Sequence, residues 1–291
     1  MNFFRALKQD LNKSLINIGF LGAVLLTCVL GFTAPAYVET ATDKSYSVFE
    51  AFFTLDKDFI GYVSDFASVR LFTLGLSGYI TMFIPIIVAF PFMVSFCAER
   101  NSGLMRFAIT RSGKLNYYLS KFTASFLSGG LAVALGMIIY GVAVWVMFPS
   151  IGSYNLDAET LSYIIPDGLY KTVVKFLVSA FLYGAVSTLP AFFISSFCKN
   201  PYIITCLPFL FTYIWSTTIN KICVNAFEKM DFEIYEKVDP FRPDSIQQLV
   251  HINFSEITTV QRNTIIFNAA YIAVLLVGFV VIMNLHTDKG N

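Results

Sequence analysis

Charge is what this sequence has least of: only 13% of its 291 residues are Asp, Glu, Lys or Arg, about half the roughly 25% of an ordinary soluble domain. Hydrophobic residues make up 56%, with 31 Phe among them, and mean hydropathy is +0.66. The chain therefore reads as an integral membrane protein. It has two histidines, His251 and His286, and it lacks an HExxH helix, a GxSxG elbow and any intramembrane pair that could make a nucleophile or an acid–base site. It also lacks the GxxxxGK[ST] phosphate-binding loop, which excludes nucleotide hydrolysis by this chain alone. No catalytic residue, metal site or bound cofactor is expected. Of the five cysteines, Cys28, Cys97, Cys198 and Cys206 fall in or beside apolar segments and Cys223 outside them, so no disulfide framework can be drawn. Apart from Lys175, the apolar segments hold no ionisable residue. Proton-coupled carriers place such groups within the membrane, which argues against that class and leaves open a sodium-coupled carrier built from carbonyls and hydroxyls.

What is present is a series of long apolar runs. Crossing about 30 Å of hydrocarbon takes about 20 apolar residues, and six stretches qualify: Leu15–Val38, Leu71–Cys97, Phe122–Phe148, Val173–Phe197, Tyr202–Ile219 and Thr264–Leu285. The alternation of a barrel strand is missing, so all six are predicted to be helices in an all-α fold. Pro85, Pro91, Pro190 and Pro208 are expected to kink spans two, four and five. Charge divides unevenly between the two sides. Segments on the amino-terminal side hold ten basic and three acidic residues; residues 39–70, 149–172 and 220–263, with Lys175, hold ten basic and sixteen acidic. The positive-inside rule then places both termini in the cytoplasm. The expected plan is an interfacial helix over 1–14, a transmembrane domain over 15–285 and a tail over 286–291. Its main cytoplasmic loop is 98–121, and 39–70, 149–172 and 220–263 lie outside.

On a helical wheel Phe3, Phe4, Leu7, Leu11 and Leu15 share one sector, as in a helix lying on the inner leaflet. Ala34-Pro35-Ala36 imitates a signal-peptide cleavage site, but the apolar run before it is longer than a signal peptide needs. In span three, Ser125, Gly129, Ala132, Gly136 and Gly141 form a close-approach stripe, suited either to packing within the chain or to a dimer seam. Phe209, Phe211, Tyr213 and Trp215 of span five suit a lipid face or the wall of a path. In the loop, Ser102-Gly103 is predicted to start a short helix with Leu104, Phe107 and Ala108 on one face. Ser112 is the expected N-cap of the next helix. Lys114 and Lys121 count as interchangeable members of the inner basic set.

The loop and its flanks resemble the permease subunits of ABC-2 type (type V exporter) ABC transporters, in particular the six-span permeases common in Firmicutes. The resemblance lies in "PIIVAFPFMVSF" (85–96), Glu99-x-x-x-Gly103, "TRSGK" (110–114), "YYLSK" (117–121) and "SGG" (128–130), with a weaker echo in "KNPY" (199–202) before Pro208. It implies that residues 3–15 are an elbow helix and that 99–109 are a coupling helix, with Glu99, Gly103, Leu104, Arg106, Phe107 and Arg111 forming the ATPase contact. It further implies a second permease chain, as homodimer or heterodimer, and a separate cytoplasmic ATP-binding subunit that carries ATP and Mg. Membrane lipid would surround the spans, nucleic acid is not an expected partner, and the location would be a bacterial plasma membrane. One departure is the charged segment 220–263, where Lys221–Val238 could instead form a soluble helical cap. Two other classes stay open: a channel or carrier not driven by ATP, and an assembly, sensing or immunity protein on the same scaffold.

Overall fold

Long apolar runs in lipid must satisfy their backbone groups internally, and the computed structural model does this with helices almost throughout. It describes residues 3–39, 43–157, 160–161, 164–165, 168–247 and 257–288. Helix α1 spans Phe3–Leu15 and α2 spans Ile18–Gly31, with a 61° bend between them. Asn17 holds the corner. Its side chain accepts from the Phe20 amide at 2.7 Å, capping α2, and donates to the carbonyls of Lys13 and Pro91. A hairpin follows, with β1 (Pro35–Glu39) antiparallel to β2 (Lys44–Ser47) and Tyr37 opposite Tyr46. Next come α3 (Val48–Thr54), α4 (Lys57–Tyr62) and α5 (Ser68–Leu74). Ser47 and Glu50 close a reciprocal cap on α3, and the Ser47 amide holds the Glu50 carboxyl below its usual pKa.

The long helices are α6 (Tyr79–Ile87) with α7 (Phe90–Asn101), then α9 (Lys114–Met147), α10 (Leu169–Ile194), α11 (Pro201–Glu228) and α13 (Thr259–Asp288). Two further short helices are α8 (Leu104–Ser112), between α7 and α9, and α12 (Phe232–Val238), after α11. Among the described residues, five helical stretches are long and apolar enough to cross a membrane, or six if the bent α1–α2 pair counts as one. This is a helical fold of the multi-pass membrane type.

Several expected boundaries are corrected. The hairpin makes the fold not purely helical, and it takes Pro35–Val38 out of the first span. Span two starts at Tyr79 rather than Leu71, because Gly78 sits at φ +75 against the Thr33 carbonyl, a conformation that favours glycine. Leu71 belongs to α5 and is fully buried. The described residues of the expected outer segment 39–70 hold β2, α3, α4 and the start of α5. Helix α11 continues to Glu228, so Cys223 is helical and buried. Helix α13 takes in residues 259–263 and reaches Asp288, leaving 289–291 outside the described residues.

Pro85, Pro190 and Pro208 lie inside helices, whereas Pro91 occupies the first turn of α7 after a break at Val88–Ala89. An N–H is not needed there. Pro85 cannot donate to the Thr81 carbonyl four residues back, and the Tyr183 hydroxyl donates to it instead at 3.3 Å.

The centre of the bundle is the α9–α10 pair. A Cβ on Gly129 would overlap the Thr188 hydroxyl, and one on Gly184 would lie 2.5 Å from Val133. Gly136 abuts Thr27 and Gly141 abuts Phe72 in the same way. The small-residue stripe of span three is thus filled from within the chain. Beside a small cluster around Phe20, Val24 and Ile87, two large apolar clusters result. One, around Tyr140, Phe72, Phe176 and Ile246, lies toward the hairpin. The other, around Phe96, Tyr118, Phe192 and Phe279, lies toward α1 and α8.

Candidate functional site

Helix α9 has 34 residues and is about 51 Å long at 1.5 Å per residue, so it overshoots a 30 Å hydrocarbon layer. At its first turns, at the α1 end of the bundle, charged side chains collect. Lys121 is 3% exposed, and its ammonium lies 2.7 Å from Asp10 Oδ1 and 2.6 Å from Glu99 Oε2. Lys13 reaches the other Glu99 oxygen at 2.7 Å, and the Ser120 hydroxyl donates to Asp10 at 2.8 Å. Two carboxylates and two ammonium groups thus tie α1, α7 and α9 together. Such a buried group is held only if every charge is matched, since one left over costs several kcal/mol. The Lys121 ammonium also lies 5.3 Å from the centre of the Tyr117 ring.

This finding corrects two expectations. Lys121 is not interchangeable with Lys114, which is exposed on the same helix. Glu99 does not begin the coupling helix. It lies in the last turns of α7 and faces the ammonium groups rather than the amides of α8. Next to it, the Arg100 guanidinium donates to the carbonyls of Cys198 at 3.0 Å and Ser196 at 3.4 Å, just beyond the end of α10. Positive charge is favourable there.

Helix α8 stands off this end. Gly103 precedes it at φ +74 and Gly113 follows it at φ +83, and no atom lies within 4 Å of where either Cβ would be. Both glycines adopt a backbone that L residues rarely take. Gly113, not Ser112, is therefore the N-terminal boundary of α9. Ser112 ends α8, with its hydroxyl bonded back to the Ala108 carbonyl at 2.7 Å. Within the expected cytoplasmic segment 98–121, residues 98–101 end α7, 104–112 form α8 and 114–121 begin α9. Leu104 is 55% and Phe107 74% exposed, and Arg106 and Arg111 are exposed too, while Ala108 and Met105 turn toward the core. Of the expected elbow residues, Leu7 and Leu11 pack on the core, Phe3 is half-buried and Phe4 is 78% exposed. The buried stripe of α1 is Ala6, Asp10 and Ser14.

Between α1, α8 and α9 lies a cavity of about 320 Å³ bordered by Gln9, Lys13, Glu99, Leu104, Phe107 and Arg111. Tyr117, on the same wall, is buried, and its hydroxyl has no hydrogen-bond partner among the described residues. Sequence reasoning missed Asp10, Lys13, Asn17, Arg100, Tyr117 and Lys121. A cue was available in Asp10, the one acid on a basic amphipathic helix. The chain matches no model of a known protein family and no curated protein.

Proposed function

We propose that this chain is the membrane-spanning permease subunit of an ATP-driven ABC exporter of the ABC-2 type, in a bacterial plasma membrane with both termini in the cytoplasm. In this reading it pairs with a second permease chain. ATP and Mg are held by a separate cytoplasmic ATPase subunit, and hydrolysis takes place there. The observation that carries the reading is α8: a short helix between two positive-φ glycines, with Leu104 and Phe107 exposed and its flanking helices α7 and α9 fastened to α1 and to each other. Exposed apolar residues on a short surface helix call for a cover. A partner groove supplies one, and movement of that partner would be transmitted through the fastened flanks to α7 and α9.

The test is gentle extraction from the native membrane, followed by identification of co-purifying ATP-binding protein and by transport measurements. The double variant Leu104→Ala, Phe107→Ala should insert normally, lose the ATPase partner and lose transport. Full burial of each side chain is worth about 1.5–3 kcal/mol, so partner affinity should fall at least tenfold. Wild-type association and transport in the double variant would mean that α8 is only a surface anchor.

A further inference from the structure

The bend between α1 and α2 sets two kinds of surface side by side. Helix α2 carries no charged residue, and Ile18, Leu21, Leu25 and Val29, each more than half exposed, form one outward ridge along it. An apolar ridge left uncovered on a helix of this composition faces lipid. The ridge stops at the corner that Asn17 holds, and α1 leaves it at 61°. Helix α1 therefore runs across the end of the ridge, where hydrocarbon gives way to headgroups, with Phe4 exposed at its far end.

What α1 turns outward there is positive. Its one acid, Asp10, is buried against α9 and paired with Lys121, so it balances nothing on the outer face. Lys13 is matched by Glu99. Arg5 and Lys8 remain, both exposed and neither with a partner among the described residues. Residues three apart on a helix are neighbours, with about 5–6 Å between Cβ atoms, so a guanidinium fork and an ammonium can meet one phosphate group from the same side. Two cations beside an apolar ridge, with no protein carboxylate opposite them, are complementary to an anionic amphiphile.

We propose that Arg5 and Lys8 form a binding site for an acidic phospholipid, with the headgroup phosphate between the two side chains and the acyl chains along the α2 ridge from Ile18 to Leu25. A zwitterionic lipid fits less well, because its own ammonium already neutralises its phosphate. The proposal rests on the membrane-type fold and not on the ATPase-coupling reading, since it is tested on the purified chain without a partner.

The full chain is placed in nanodiscs of phosphatidylcholine, either alone or mixed equally with phosphatidylglycerol, and backbone hydrogen exchange over Phe3–Leu15 is followed by mass spectrometry. Exchange is expected to slow about fivefold or more with phosphatidylglycerol, the gain that one basic residue brings at an anionic surface. An anionic surface also slows exchange by lowering the local pH, so the decisive comparison is with the double variant Arg5→Gln, Lys8→Gln. There the effect of phosphatidylglycerol on α1 should disappear, while exchange in α9 stays as in the unaltered chain. Inorganic phosphate added to phosphatidylcholine discs should protect nothing. Should the double variant fail to fold, Lys8→Gln alone, in which the effect should be reduced, is judged by the same comparison. The proposal is overturned if phosphatidylglycerol does not slow exchange in α1, if it slows it equally in the variant that folds, or if inorganic phosphate protects α1 as well as the lipid does.

Discussion

Lys121 separates two ways of counting charge. As one of ten basic residues on its side of the chain it would contribute only to orientation, which depends on their sum. As a buried ammonium between Asp10 and Glu99 it keeps two carboxylates from facing each other unmatched. Replacing it with Gln should therefore destabilise the protein by about 3–5 kcal/mol, while Lys114→Gln, at an exposed position, should change little. Thermal unfolding of the two variants in the same detergent measures the difference. Combining Lys121→Met with Asp10→Asn leaves Glu99 paired with Lys13, removes the mismatch and should recover most of the loss. Equal melting temperatures for Lys121→Gln and Lys114→Gln would show that the pairs contribute nothing.

Among the elements, the long helices were legible because hydropathy over 20 residues is a local property, and α1 because its amphipathic face recurs every turn. Their ends were less so. Leu71 belongs to an apolar run continuous with span two, and only Gly78, read as a left-handed break, would have separated them. The stretch from 220 to 228 is polar enough to read as a loop, yet it continues α11. Asp10 stood out as the one acid on α1, but its partner was not legible, since Asp10 and Lys121 lie 111 residues apart and pairing across that distance leaves no periodic trace. The helix seams give a sharper test than the boundaries do. Gly184 faces Val133 and the Gly129 carbonyl across the α9–α10 contact, whereas Gly22 has nothing within 4 Å. Gly184→Leu should cost at least about 1–3 kcal/mol by overpacking, and Gly22→Leu should leave the melting temperature of the purified chain nearly unchanged. If both variants melt alike, α9 and α10 do not pack as closely as described.

At the scale of the whole molecule, burial is uneven. Only 11% of the apolar stretch in α11 and in α13 is buried within the chain, against 61% for the α6–α7 span and for α10. Those two helices form the lipid-facing or partner-facing side. Orientation follows from charge, with both termini and α8 expected in the cytoplasm. It can be checked by single cysteines placed at Thr110 and at Asp58, both exposed, in a chain whose five native cysteines are replaced. An impermeant reagent applied to intact cells should label position 58 and spare position 110, and the reverse pattern would invert the topology. The pairing of Asp10 with Lys121 also imposes an order on assembly. The two emerge 111 residues apart, and at about 5–20 residues per second of synthesis the interval is on the order of ten seconds. Throughout it, α1 has no α9 to dock against, and its carboxylate must stay hydrated at the membrane surface. Helix α1 thus cannot reach its final seat until α9 has been inserted, so a fault in placing α9 would be registered more than a hundred residues upstream as an elbow that never docks.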